Sequence, residues 1–200
     1  MVMNLPTTTY DRLVELAATQ HGFVRTTDVD VMEISQGYLR KLVQAGRARH
    51  LFRGVYRLTA FPTTPLDEFQ EAIFWAANDG AAIGGEAALL LLELADVNPR
   101  RIEVVVPPGH RIRRQENLRF KRLAGSLRER DIDFVGNIPV VAAPLAIAQA
   151  IRGGTQSSLV HQAITTARRR DLLDQLDEPK LRVALDERDD RATGIHGAKP

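Results

Sequence analysis

Three observations predict an α+β fold. Residues 7 to 58 pass through helical periodicities and end in two short β-prone runs around a glycine. The stretch Phe61-Pro62-Thr63-Thr64-Pro65 then interrupts the pattern, because proline lacks a backbone donor and fixes its own φ. Beyond it, helical stretches share the chain with strand-like runs such as Ile102-Glu103-Val104-Val105-Val106. The expected architecture is an N-terminal winged helix-turn-helix over residues 1–60, followed by a mixed α/β C-terminal domain over 66–188. The polar, glycine-bearing end, 189–200, is expected to be a disordered tail.

In the first part, Thr7 to Thr9 offer caps for a helix over Tyr10–Gln20, with Leu13, Leu16 and Ala17 on its buried face. Gly22 ends it, and Phe23-Val24 reads as a short apolar link. Thr26 or Thr27 is placed to cap a second helix through about Met32, with Asp28 and Asp30 near its positive end. Ser35 caps a third helix, in which Leu39, Leu42 and Val43 follow apolar spacing while Gln36, Arg40, Lys41 and Gln44 fall largely opposite. Gly46 closes that helix, and Arg53-Gly54 is the tip of a hairpin, the wing. Leu51 and Phe52 are adjacent and both apolar, so strict strand alternation fails there.

In the second part, Leu66, Phe69, Ile73 and Ala76 give a helix that closes at Asp79-Gly80, and Ala81-Ala82-Ile83 is short and apolar. Glu86–Ala95 reads as a helix buried nearly all round. Strands are expected at Ile102–Val106, at Leu118–Arg122, and at the two runs flanking Gly136-Asn137. Pro144 suits a first helical turn, with Leu145, Ala148 and Ile151 as the apolar face. Ser157 or Ser158 caps the next helix, which turns Val160, Ala163, Ile164 and Ala167 inward, and a last amphipathic stretch runs from Leu172 to about Arg188.

Composition narrows the function classes. A hydrophobic fraction of 44% supports packed cores, and aromatics at 6% leave aliphatic side chains to fill them. There is no cysteine, hence no disulfide framework and no thiolate metal site, which fits a cytoplasmic protein. No apolar run approaches the roughly 20 residues that span a bilayer, and the N-terminus lacks the basic start and apolar core of a secretory signal. No membrane association, cofactor or metal is expected.

Charge points to nucleic acid. Basic and acidic residues nearly balance, 27 against 25, yet no Asp or Glu occurs from Ile34 to Leu66. That interval carries Arg40, Lys41, Arg47, Arg49, His50, Arg53 and Arg57. A one-sign helix and wing attract phosphate, whereas an ordinary solvated helix and hairpin would mix signs. Arg40 and Lys41 suit guanine, Gln36 and Gln44 adenine, and Tyr38 a base or a phosphate. Thr26 and Thr27 either hold a phosphate with helix-start N–H groups or only cap. Arg49, His50 and Arg53 on the wing suit a minor groove or the backbone. A second cluster, His110, Arg111, Arg113, Arg114, Arg119, Lys121 and Arg122, has Glu116 as its only acid. It suits further DNA, RNA or a protein partner, or is a solvated loop and strand face. Arg168-Arg169-Arg170 reads as a charge complement to a helix C-terminus.

The chain resembles the AbiEi-type antitoxins of type IV toxin–antitoxin systems. The run from Ile34-Ser35 through Leu39–Gly46 to Arg53-Gly54-Val55-Tyr56-Arg57-Leu58 carries the resemblance. So do Ala81-Ala82-Ile83, Glu86–Leu89, Arg101–Pro107, Ile138-Pro139-Val140 and Ala143-Pro144. It covers about residues 7 to 175, and Gly85 stands where family members often have a histidine. The resemblance implies that the winged helix binds inverted repeats in double-stranded DNA upstream of its own operon and represses it. It also implies that the C-terminal domain opposes a nucleotidyltransferase toxin without needing a stable complex. The further nuclease-like domain of some relatives is not expected here.

Two enzyme patterns fail on spacing. Gly125-Ser126 before Asp131-Ile132-Asp133 is similar to a nucleotidyltransferase signature, in which paired carboxylates hold Mg²⁺, but only residues 127–130 separate its halves. Glu103 on its strand lacks the lysine two residues on that a metal-dependent nuclease needs, and the five histidines show no ligand spacing. No catalytic residue is assigned. A plain winged-helix regulator with a ligand- or partner-sensing C-terminal domain, and a nucleic-acid-processing enzyme, remain as alternative readings.

Overall fold

Helix α1 (Thr9–Ala18) starts at Thr8, whose hydroxyl accepts the Asp11 N–H at 3.1 Å while the Asp11 carboxylate accepts the Thr8 N–H at 3.0 Å. This reciprocal cap satisfies two donors that a helix start otherwise leaves orphaned. The computed structural model describes residues 8–77, 80–109, 115–123 and 125–193. It shows an α+β chain that divides into two compact units, Met1–Phe74 and Trp75–Pro200.

In the first unit, Phe23–Arg25 is not a link but strand β1, hydrogen-bonded into a sheet. Helix α2 (Thr26–Val31) follows at once, with Arg25 as its cap residue and the Asp28 carboxylate accepting the Arg25 N–H at 2.8 Å. Neither Thr26 nor Thr27 caps it, since both already lie inside the first turn. Helix α3 (Gln36–Gln44) begins at Ser35, whose Oγ accepts the Gly37 N–H, and closes at Gly46 in the left-handed region at φ +69°. Strands β2 (Ala48–Phe52) and β3 (Val55–Leu58) form the wing, and the antiparallel sheet runs β1-β3-β2. The register slips between His50 and Phe52, so Leu51 is an extra residue, a bulge. That bulge is why two adjacent apolar residues fit one strand.

One face of this sheet joins the helices in a core of Leu13, Ala17, Val24, Val29, Leu39, Leu42, Ala48, Tyr56 and Leu58. Strand alternation sends Phe23, Arg49 and Arg57 to the other face, as the pairings Phe23↔Arg57 and Arg49↔Arg57 record. Arg57 is 4% exposed. Its Nη1 donates to the Phe61 carbonyl at 3.0 Å and its Nη2 to that of Pro62 at 2.7 Å, and Nη2 also pairs with Asp67 Oδ2 at 2.7 Å. Asp67 opens helix α4 (Asp67–Ala76), on which Phe74 meets Phe23 edge-on at 5.9 Å between centroids. The proline-bracketed segment expected to separate the two domains is therefore held by the first unit, which runs on to Phe74.

The second unit is built on a five-stranded mixed sheet. It contains β4 (Ala82–Gly84), helix α5 (Gly85–Leu91), β5 (Ile102–Val106), β6 (Leu118–Arg122), β7 (Ile132–Val135) and β8 (Ile138–Val141), in strand order β6-β5-β4-β8-β7. Helix α5 is shorter than the apolar run suggests, because the chain turns back at Glu93, φ +53°. Helices α6 (Ala143–Gly153), α7 (Ser157–Arg169) and α8 (Asp177–Thr193) complete the unit, and α6 packs on α5, α7 and α8. With neighbours on several sides, α6 buries Ala143, Ala146, Ile147, Ala150 and Ile151, so the expected face of Leu145, Ala148 and Ile151 is displaced. Helix α7 buries the four residues expected, but Gln156, not a serine, precedes it. The α7 start is instead tied to α8. Asp189 accepts the Ser157 hydroxyl at 2.6 Å, and Arg188 donates to the Thr155 carbonyl at 2.7 Å and to Ser157 Oγ at 2.8 Å. Residues 189–193 are thus helical and anchored, which corrects the expected tail; residues 194–200 lie outside those described.

Candidate nucleic-acid interface

Successive residues of an α-helix step about 100° around its axis. In α3 this sends Leu39 and Leu42 into the core and leaves Gln36, Arg40 and Gln44 on the open side. These three face the wing across a groove of about 890 Å³, lined also by Thr26, Val43, His50, Arg53, Gly54 and Tyr56. The wing is tied at its tip, where the Thr26 N–H donates to the Gly54 carbonyl at 2.8 Å. Gly54 has φ +76°, and a Cβ there would stand 2.9 Å from Thr26 Oγ1, so both conformation and space call for glycine. On the wing, His50 lies against Tyr56 with 4.9 Å between ring centroids.

The groove combines cationic and amide side chains suited to base edges and phosphates. Gln36 is tied within it: its Nε2 donates to the Asp30 carboxylate, 2.9 Å from each oxygen. Gln44, also in the lining, is exposed. Thr26 contributes its side chain only, because its N–H is already bonded to Gly54. The expected phosphate contact through that N–H is corrected.

The structure separates the other sequence candidates by face. Arg57 is a buried structural cation and is removed from the DNA-contact set. Arg49 is exposed, but it lies on the Arg57 side of the sheet, away from the groove. There its charge opposes the burial that pushes the Glu71 carboxyl up. Arg47 stacks on the Tyr10 ring at 3.5 Å, and Tyr38 is half-buried against the core. Lys41 and Thr27 are exposed beside the groove rather than in its lining, and Ser35 serves as the cap. The buried Arg57–Asp67 pair escaped the sequence reading. The only available signal was the first acidic residue after the carboxylate-free interval.

Of the second cluster, His110, Arg111, Arg113 and Arg114 lie outside the described residues. Arg119 and Lys121 sit on edge strand β6, with Lys121 Nζ 3.7 Å from Glu103 Oε1, while Arg122 is exposed. Asp131 is clamped by Arg128, Nε at 2.8 Å, whose hydrogen bond holds its carboxyl below the usual range. Among the described residues, no group of three or more His, Asp or Glu side chains is arranged to hold a metal ion.

Comparison with known proteins bears on this unit. Residues 11–59 match the model of a family described as transcriptional regulator, AbiEi antitoxin, so the resemblance drawn from the sequence holds over the winged unit. No curated protein matches the chain. Among solved structures, the crystal structure of the RV2827C protein from Mycobacterium tuberculosis is similar, with a TM-score of 0.50 and 15% identity, covering 94% of this chain and 81% of that one. At that identity the likeness is one of fold.

Proposed function

We propose that this protein is a DNA-binding repressor of its own operon and the antitoxin of a type IV toxin–antitoxin pair. The observation that carries the DNA reading is the groove between α3 and the tied wing. Its helix side holds Arg40 and Gln44, and its wing side holds His50 and Arg53. An α-helix fits the major groove, where a guanidinium pairs with guanine and a carboxamide with adenine. In this reading Arg40 and Gln44 read bases, Lys41 neutralises phosphate beside them, and Arg53 anchors the wing on the backbone. Inverted repeats would be met by two copies related by symmetry. The family match over residues 11–59 supports a regulator and antitoxin role. The pairing with a nucleotidyltransferase toxin, and the absence of a stable complex, rest on the sequence resemblance.

The test is fluorescence anisotropy on duplex from upstream of the operon across a salt series. If about five phosphates are neutralised, log K falls against log salt with a slope of about −4 to −5. A flat response, or equal affinity for unrelated duplex at every salt concentration, overturns the reading. Growth on co-expression with the neighbouring toxin gene tests the antitoxin role separately.

A further inference from the structure

A second cavity, of about 590 Å³, lies within the second unit, where the start of α5 meets β5, β6 and α6. Gln149 of α6, 2% exposed, lies in its lining. The Gln149 Oε1 accepts the Gly85 N–H at 2.8 Å, which fixes the amide and leaves its buried Nε2 without a hydrogen-bond partner. An unmet buried donor carries its full desolvation cost, so native structures keep few of them. Glu103 on β5 also lines the cavity. Its buried Oε1 likewise has no hydrogen-bond partner; Lys121 Nζ, 3.7 Å away, meets it as an ion pair without a hydrogen bond.

The backbone at Gly84-Gly85 brings these two groups together. A Cβ on Gly84 would stand 2.6 Å from Gln149 Oε1, and one on Gly85 would stand 3.1 Å from the Glu103 carboxylate. Side chains there would press on Gln149 and Glu103 themselves. The same cavity is lined by Arg100, Arg101 and Arg119, all exposed.

We propose that this cavity binds a nucleotide, with the base edge against Gln149 and Glu103 and the phosphates on Arg100, Arg101 and Arg119. A nucleobase edge offers an acceptor and an N–H, the complements of an amide N–H and a carboxylate oxygen that make no hydrogen bond within the protein. Arginine matches phosphate through its planar fork of donors. A cavity of this size falls within the range of small-molecule sites. The three arginines disfavour a lone cation, and an uncharged sugar leaves them without a counter-charge. A free nucleotide and the terminal nucleotide of an RNA strand share this chemistry. The site is independent of the DNA reading, and either can fail alone.

The experiment is calorimetry on the full chain with each of the four ribonucleoside triphosphates, inorganic tripolyphosphate and a short single-stranded RNA. At least one nucleotide or the RNA should bind saturably, with Kd below about 1 mM, and tripolyphosphate at least about tenfold more weakly. Tighter RNA than triphosphate binding identifies a strand end as the source; the reverse identifies a free nucleotide. Removing the arginines as Arg100→Ala/Arg101→Ala/Arg119→Ala should weaken binding at least about tenfold, since one lost charged hydrogen bond is worth about 1.5–3 kcal/mol. The isosteric Glu103→Gln should keep the ligand-free melting temperature but alter the order of preference among bases, which a purely structural role would not do. Absence of saturable binding, tripolyphosphate binding as tight as any nucleotide, or an unchanged base order in Glu103→Gln overturns the proposal.

Discussion

Arg57→Ala separates an architectural cation from a DNA contact. The side chains of Arg57 and Asp67 are only 5% and 13% exposed, and the guanidinium also serves the carbonyls of Phe61 and Pro62. Deleting it strands a carboxylate and two carbonyls in a site largely closed to water. Removing one partner of a buried pair costs about 3–5 kcal/mol, against about 5–15 kcal/mol for a whole domain. For a unit of this size each kcal/mol shifts melting by about 4–8 °C, so a loss of at least about 12 °C is expected. Asp67→Ala should destabilise too. The double variant should be less unstable than the sum of the singles, with a coupling of about 0.5–3 kcal/mol. Calorimetric melting of all four proteins measures this cycle. In DNA titrations below the melting range, Arg57→Ala should keep the wild-type salt slope, whereas Arg53→Ala should lose about one unit of it. An unchanged melting temperature in Arg57→Ala, with a salt slope reduced by about one, would refute the reasoning and return Arg57 to the DNA surface.

Other expectations follow from the same geometry. Arg40→Ala should cost about 1–3 kcal/mol on the operator and little on random duplex, while Arg53→Ala should weaken both alike; competition anisotropy on the two DNAs distinguishes them. Burial raises the Glu71 carboxyl above its ordinary value. The folded state therefore holds that proton more tightly than the unfolded chain. Its contribution to stability is present below the ordinary glutamate range and is lost as pH rises through the folded value. Glu71→Gln should then melt higher than wild type at pH 7 and lose that advantage near pH 4, while Arg49→Ala should push the Glu71 carboxyl up further. Thermal melts across pH and an NMR titration of Glu71 check both. Because Asp131 is already clamped by Arg128, Asp131→Ala/Asp133→Ala should still protect cells co-expressing the toxin. Loss of protection in a folded double variant would point to carboxylate chemistry instead.

Much of the first unit was legible in the sequence because local rules decide it. A capped helix, an apolar stripe at 39 and 42, a left-handed glycine at 46 and a glycine-tipped hairpin each follow from a few neighbouring residues. What could not be read depended on the far side of the sheet. Phe23-Val24 looked like a link because its partner strand lies over thirty residues away, at Val55–Leu58. Arg57 looked like one more basic residue of the wing, because strand parity alone does not say which face a helix will cover. In the second unit, α6 showed its spacing but not its phase, since α5, α7 and α8 all pack on it. The Gln149 cavity left no trace in sequence. It needs a backbone approach at Gly84-Gly85 to a residue 64 positions away.

The bond from Thr26 to the Gly54 carbonyl makes the wing one jaw of a caliper, tied at its tip. Its tip is fastened to the first residue of α2, so the span from Arg53 to Arg40 is set before any partner arrives, and little loop entropy is left to lose on docking. A rigid gauge responds to the width of what it grips. Duplexes with the same base edges but different stiffness should therefore bind differently, because the DNA and not the wing must yield. Residue 26 thereby governs where residue 53 can reach, although its own backbone donor is already taken by Gly54.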